Sequence, residues 1–217
     1  MGNKLDTKIN KILTKTKELP FFDFSDLTGM EVNRDYLKTL FSRYEKAGKL
    51  VRLKKGFYVT KDYLDKLEKS GRFSVYSEFL SGILCPFSYL SLDYVLYKHN
   101  LLTEVPVNFT AIAKRKTTSF SNKFGNFFYH KIKDNLFCGY KATKENGFII
   151  FSATKSKALF DYLYLRKNSI IGRGAVDGLR LNLDGLNGND KKELMNYIKI
   201  EGSKKMREIY NYLLAKN

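Results

Sequence analysis

Leu37, Leu40, Phe41 and Tyr44 recur at i, i+3, i+4 and i+7, the spacing of one buried helical face. Asn33 stands before them as an N-cap, and Gly48 follows as a C-terminal stop. The opposite face carries Arg34, Lys38, Thr39, Ser42, Arg43 and Lys46, which are cations and small hydrogen-bonding groups. After Gly48, Leu50-Val51-Arg52-Leu53, a turn at Lys54-Lys55-Gly56 and Phe57-Tyr58-Val59 read as two short strands with a basic tip. Upstream, residues 3–18 form a helix with Leu5, Ile9, Ile12 and Leu13 inward, and Pro20 ends it or caps the following turn. Phe24-Ser25-Asp26-Leu27 begins a short helix capped by Ser25 or Asp26, and Thr28-Gly29-Met30 turns into the helix at Asn33. A helix over 63–70 follows the hairpin, with a boundary at Gly71.

The second half has another rhythm. Residues 73–84 are amphipathic up to Pro86, and Ser91 caps a helix carrying Leu92, Val95, Leu96 and His99. Short alternating runs at 107–112, 124–132, 136–143 and 148–151 then predict strands. Helices return over 155–166, 190–200 and 204–214. Helices, a β-run and helices again give an α+β class: an antiparallel β-meander flanked by helices, not an alternating βαβ fold.

The order of the first half is that of a winged helix-turn-helix: a supporting helix, a tight glycine turn, a longer helix and a two-stranded wing. Two domains are expected, a DNA-binding winged helix over 1–71 and an α+β domain over 72–217. In this layout Asn33, Arg34, Lys38, Thr39, Ser42 and Arg43 belong to the recognition helix, with Arg34 and Lys38 reaching deepest into a major groove. Arg52, Lys54 and Lys55 would meet phosphate or an adjacent minor groove.

Composition narrows the classes. A 217-residue chain with 43% hydrophobic and 15% aromatic residues can bury a core. Its net charge of +17 calls for a polyanionic partner, and apolar runs as short as 148–151 favour nucleic acid over membrane. Residues 1–60 hold thirteen Lys and Arg against seven Asp and Glu, in proportion to their share of the chain, so module layout rather than charge density points to the N-terminal half. Residues 1–5 resemble no secretory signal, and Gly2 lacks the hydroxyl residue of a myristoylation motif, so a cytoplasmic protein is expected. Cys85 and Cys138 stand far apart, as reduced thiols rather than a disulfide or zinc framework.

Signals for catalysis are poor. His99 and His130 have no cysteine or carboxylate at metal-ligand spacing. Ser152-Ala153-Thr154-Lys155 matches S-x-x-K without the companion motifs, and reads as a strand end followed by a threonine cap. Gly172-Arg173-Gly174 is spaced one residue too far from Gly178 for a dinucleotide fingerprint and reads as a loop. Asp161 reads as a carboxylate hydrogen-bonding on a helix face. No catalytic residue, metal or cofactor is expected.

One resemblance covers roughly residues 20–166. It is carried by Ser88-Tyr89-Leu90-Ser91-Leu92-Asp93-Tyr94-Val95-Leu96-Tyr97-Lys98-His99-Asn100-Leu101, by Glu104-Val105-Pro106 and by Phe124-Gly125-Asn126-Phe127-Phe128-Tyr129. It continues through Ala153-Thr154-Lys155-Ser156-Lys157-Ala158-Leu159-Phe160-Asp161-Tyr162-Leu163-Tyr164. In this order, behind a winged helix, these segments resemble the antitoxins of the abortive-infection E (AbiE) toxin–antitoxin systems. The chain departs from that pattern at Asn100, where glycine is usual, and at Ser156, where an acidic residue is usual. The resemblance implies an operon autorepressor that counters a nucleotidyltransferase-like toxin without needing to bind it. Its DNA partner would be inverted repeats in its own promoter, bound by two copies meeting on the DNA. The rival expectation is a protein–protein module that sequesters the toxin directly, with the winged helix as scaffold.

Overall fold

The computed structural model describes residues 3–28 and 33–215, with only the backbone described for 3–8. The chain divides into two compact units, Met1–Tyr76 and Ser77–Asn217. The division lies five residues beyond Gly71, inside the helix Phe73–Leu84.

The first unit begins with α1 (Asn3–Thr16), which buries Ile9 and Ile12, half-buries Leu13, and ends where the Thr16 hydroxyl donates back to the Ile12 carbonyl. The expected inward side chain of Leu5 and the Gly29-Met30 turn lie outside the described residues. The short helix at Ser25 is a single 3-10 turn, Ser25–Leu27, and its cap is neither Ser25 nor Asp26. Asp23 does that work, accepting from the Ser25 N–H at 2.6 Å and from its hydroxyl at 2.5 Å. In α2 (Arg34–Lys46), Asn33 caps the first turn by accepting from the Asp35 N–H at 2.8 Å. Leu37, Leu40 and Phe41 are buried as the periodicity requires. Gly48, at φ +71, takes the left-handed turn that releases the chain into β1 (Leu50–Lys54) and β2 (Phe57–Thr60).

Strict alternation fails in β1. Leu50 and Leu53 are both buried although they lie three residues apart, because the register slips between Arg52 and Lys54. This bulge turns Leu53 into the core and leaves Arg52 on the exposed side. Phe22 exchanges both backbone hydrogen bonds with Tyr58, at 2.8 and 2.9 Å, as a one-residue third strand. The rings of Phe22, Phe24, Phe41 and Tyr58 close the core around it. In α3 (Lys61–Lys69), Thr60 is the cap and Leu64 and Leu67 are buried; Tyr76 in α4 (Phe73–Leu84) donates to the Pro20 carbonyl at 2.6 Å.

The second unit is built on six strands: β3 (Ser88–Leu90), β4 (Phe109–Ala113), β5 (Thr118–Asn122), β6 (Gly125–Lys131), β7 (Tyr140–Glu145) and β8 (Phe148–Ala153). Their order is β5-β6-β4-β3-β8-β7. This is not the antiparallel meander that strand spacing suggests. β4 runs parallel to β6 and β3 parallel to β8, so the sheet is mixed within an α+β unit. The central strand, β3, is only three residues long and buried on both faces, so it shows no alternation. β5 is polar, and half of the expected 136–143 strand is a 3-10 turn and loop before Tyr140. Ser91 precedes α5 (Leu92–Lys98) without capping it, and its hydroxyl turns inward instead. The glycine-rich segment read as a loop is α7 (Gly172–Asp177), between α6 (Lys155–Arg166) and α8 (Gly188–Glu201). The chain closes on α9 (Lys204–Leu214), capped by Ser203. No described helix is long and apolar enough to cross a membrane.

Candidate nucleic-acid interface

Three turns of α2 project from the core of the first unit. Arg34, Lys38, Thr39, Ser42, Arg43 and Lys46 are all exposed. With roughly 100° per residue, Thr39, Ser42 and Lys46 fall near the middle of that face, and Lys38 lies about 70° to one side of it. Arg34 and Arg43, nine residues apart, lie about 180° apart around the axis and about 13 Å apart along it, one on each flank. The face is not uniformly basic. Asp35 sits in its middle, and the Lys38 ammonium, which bonds to it, together with the nearby Arg34 charge holds its carboxyl below the usual range. The Lys38 ammonium pairs with Asp35 at 2.7 Å, but both side chains are mostly in water, where such a pair is weak. Lys38 can therefore leave Asp35 for another acceptor at little cost. The Thr39 hydroxyl donates to the Asp35 carbonyl at 3.2 Å, and the Arg34 guanidinium lies 5.6 Å from the Phe24 ring centre. Asn33, by contrast, is engaged by its own helix, since its side-chain oxygen caps the Asp35 N–H.

The hairpin continues the basic surface. Arg52 and Lys55 are exposed, Lys55 at the turn, and the Lys54 ammonium lies 4.1 Å over the Phe57 ring. Between Glu45 and Asp62 the chain contains Lys46, Lys49, Arg52, Lys54, Lys55 and Lys61 and no carboxylate. Lys49, whose ammonium lies 5.4 Å over the Tyr44 ring, and Lys46 join the helix cations to those of the hairpin. Periodicity alone passed over Lys49 and Lys61, and the acid-free interval is the signal that marks them.

A second polar constellation lies inside the other unit. Lys157 and Asp161, one turn apart on α6, are completely buried and ion-paired. Asp161 also accepts from the Ser91 hydroxyl at 2.8 Å and the Tyr89 hydroxyl at 3.2 Å. Burial pushes its carboxyl up to about 6 against the pull of Lys157 and the two hydroxyls. The Lys157 ammonium lies among the Tyr89, Phe160 and Tyr197 rings, 4.8 to 5.8 Å from their centres. Tyr197 and Thr154 share the Glu193 carboxylate at 2.6 and 2.9 Å. Gly139, at φ +72, packs so closely that a Cβ there would stand 2.7 Å from the Tyr197 ring carbon bearing the hydroxyl. Ser156, beside Lys157, holds the one buried side-chain oxygen among the described residues that has no hydrogen-bond partner. Asp161 is hydrogen-bonded as the sequence reading has it, but it is fully buried rather than on an open helix face, and the i, i+4 spacing could have named Lys157 as its partner.

His99 is exposed at the end of α5, and His130 is half-buried in β6. Among the described residues, no three His, Cys, Asp or Glu side chains gather as a metal ion needs. No protein-family model and no curated protein sequence matches the chain.

Proposed function

We propose that this chain is a DNA-binding autorepressor and antitoxin of a bacterial toxin–antitoxin operon, acting in the cytoplasm by binding rather than catalysis. The carrying observation is the sequence of α2, Gly48 and the acid-free basic hairpin, which together form one exposed cationic surface on a rigid aromatic core. In this reading residues 1–71 are a winged helix-turn-helix, with α2 in the major groove and the β1–β2 hairpin as its wing. Thr39 and Ser42, at the middle of the face, meet base edges with Lys38 beside them, while Arg34 and Arg43 on the flanks hold the phosphate backbones. Arg52, Lys54 and Lys55 anchor the wing. Asn33 contributes by fixing the start of α2 and presenting Arg34.

The antitoxin assignment rests on the resemblance to the AbiE antitoxins. The backbone supports it at Asn100, which adopts φ 57 directly after α5. That left-handed conformation is the one glycine favours and asparagine tolerates best among other residues, so the departure keeps the turn. Two copies on an inverted repeat follow from half-site geometry. Under the rival reading, direct sequestration, toxin and antitoxin would co-purify as a stable complex.

Alanine variants on the natural upstream DNA test the assignment of roles. Arg34→Ala and Arg43→Ala should weaken binding to matched and scrambled DNA alike. Thr39→Ala and Ser42→Ala should lower preference for the matched site, with each base contact worth about 1–3 kcal/mol. Affinity and preference unchanged in all four variants would place readout away from α2.

A further inference from the structure

β7 ends the six-stranded sheet, and all six of its residues, Tyr140 to Glu145, are exposed. Its outer edge pairs with no strand among the described residues. Edges are usually blunted by a bulge, a proline or charged side chains; β7 has an unbroken register with β8 and no proline, and its charges, Lys141, Lys144 and Glu145, are of both signs and can be matched by a second copy. From this edge we infer that the chain self-associates, two copies joining β7 to β7 in antiparallel fashion across a two-fold axis at Thr143.

The hydrogen-bond parity of the hairpin selects this arrangement. Asn146 (φ 49) and Gly147 (φ 89) form the two-residue turn between β7 and β8. In such a hairpin the closing pair, Glu145 with Phe148, exchanges hydrogen bonds, and exchange recurs at every second residue. The bond from the Thr154 N–H to the Gly139 carbonyl, 2.9 Å, has the same parity. Lys141, Thr143 and Glu145 therefore turn their backbone groups toward β8. Tyr140, Ala142 and Lys144 turn theirs outward, ready for another strand.

Side-chain charge then fixes the register. Centring the pair on Thr143 sets Ala142 against Lys144 of the other copy, where the outward groups meet. It also sets Lys141 against Glu145 twice and Thr143 against itself. Centring on Ala142 leaves Glu145 beyond the partner strand and Lys141 against Thr143. Centring on Lys144 sets two ammonium groups face to face. Only the Thr143 register pairs opposite charges, which offsets part of the repulsion between two chains of +17 each. On the same face as Ala142 and Lys144, it extends the partly exposed row of Tyr140, Phe151 and Ile149 into one continuous sheet surface. This inference stands on the sheet edge alone and does not depend on DNA binding.

Sedimentation equilibrium of the full chain at physiological salt tests it, with Lys141→Glu, Glu145→Lys and the double exchange. Wild type should be a reversible dimer. Each single variant should dissociate at least about tenfold more readily, one decade in Kd, and the double variant should recover. A second readout uses Thr143→Cys with Cys85 and Cys138 replaced by serine. Directly opposed, non-hydrogen-bonded residues lie about 4.5 Å apart at Cα, within disulfide reach. Thr143→Cys should oxidise to a covalent dimer, and Ala142→Cys, on the other face, should not. A wild-type monomer at every concentration would overturn the proposal, as would a dimer indifferent to the charge changes, equal cross-linking at 142, or an edge that takes only another protein.

Discussion

Asp161→Ala removes the acceptor at the centre of the second unit. Its carboxylate holds the Lys157 ammonium and the hydroxyls of Ser91 and Tyr89, the latter at 2.8 and 3.2 Å, with all of its surface buried. After the change a buried cation has only aromatic faces around it, and two hydroxyls lose their acceptor. Breaking a buried pair by deleting one partner costs about 3–5 kcal/mol. Each released hydroxyl adds about 1 kcal/mol or less, partly overlapping that figure. Against a typical domain stability of about 5–15 kcal/mol, the loss is about a fifth of the whole or more. Urea unfolding followed by circular dichroism, with amide exchange along α6, reads it. The paired replacement Lys157→Met with Asp161→Leu removes both charges and should recover most of the stability, since apolar side chains of similar size often serve as well. A loss under about 1 kcal/mol for Asp161→Ala would refute the reasoning, because no fully buried pair can be opened that cheaply.

Three further outcomes follow from the same geometry. Gly139→Ala should destabilise the second unit by about 1–3 kcal/mol through overpacking against Tyr197 and Lys157, and an unchanged melting temperature would contradict that contact. Asp161 should titrate near 6 when followed by carbon NMR of its carboxyl. Its folded value lies above the unfolded one of about 3.9, so the native state binds the extra proton between them. The proton-linked part of its contribution to stability is therefore complete below about pH 4 and lost as pH rises through the folded value, while the pairing with Lys157 remains. A midpoint below about 4 would contradict this sign. Lys54→Ala and Lys55→Ala should each reduce the slope of log affinity against log salt by about 0.9, and an unchanged slope would remove the hairpin from the phosphate contacts.

Local periodicity made the first unit legible. Leu37, Leu40 and Phe41 mark α2 in any reading, and Asn33 and Gly48 mark its ends because caps are local chemistry. The bulge that buries Leu53 was not legible, since it depends on pairing with Phe57 and Tyr58 rather than on β1 itself. The mixed sheet escaped for a related reason. Ser88–Leu90 is a three-residue strand buried on both faces, and only its partners β4 and β8 reveal it as the centre of the sheet. Ser91 looked like a cap because serine before a helix usually is one, yet Asp161, seventy residues later, takes its hydroxyl. Of the candidate DNA-binding residues, the exposure of those on α2 and of Arg52 and Lys55 on the hairpin followed from the pattern, whereas Lys54 is half-buried. The engagement of Asn33 with its own helix, and of Lys38 with Asp35, needed the coordinates.

The most direct test is a salt-controlled anisotropy titration of the full-length chain against the DNA upstream of its own gene, with scrambled DNA as competitor. Sequence-selective binding that persists at physiological salt, and that loses its selectivity in Thr39→Ala and Ser42→Ala, is the predicted result. Binding that shows no preference for the matched DNA and vanishes as salt rises would contradict the account, leaving the positive charge a nonspecific feature of the surface.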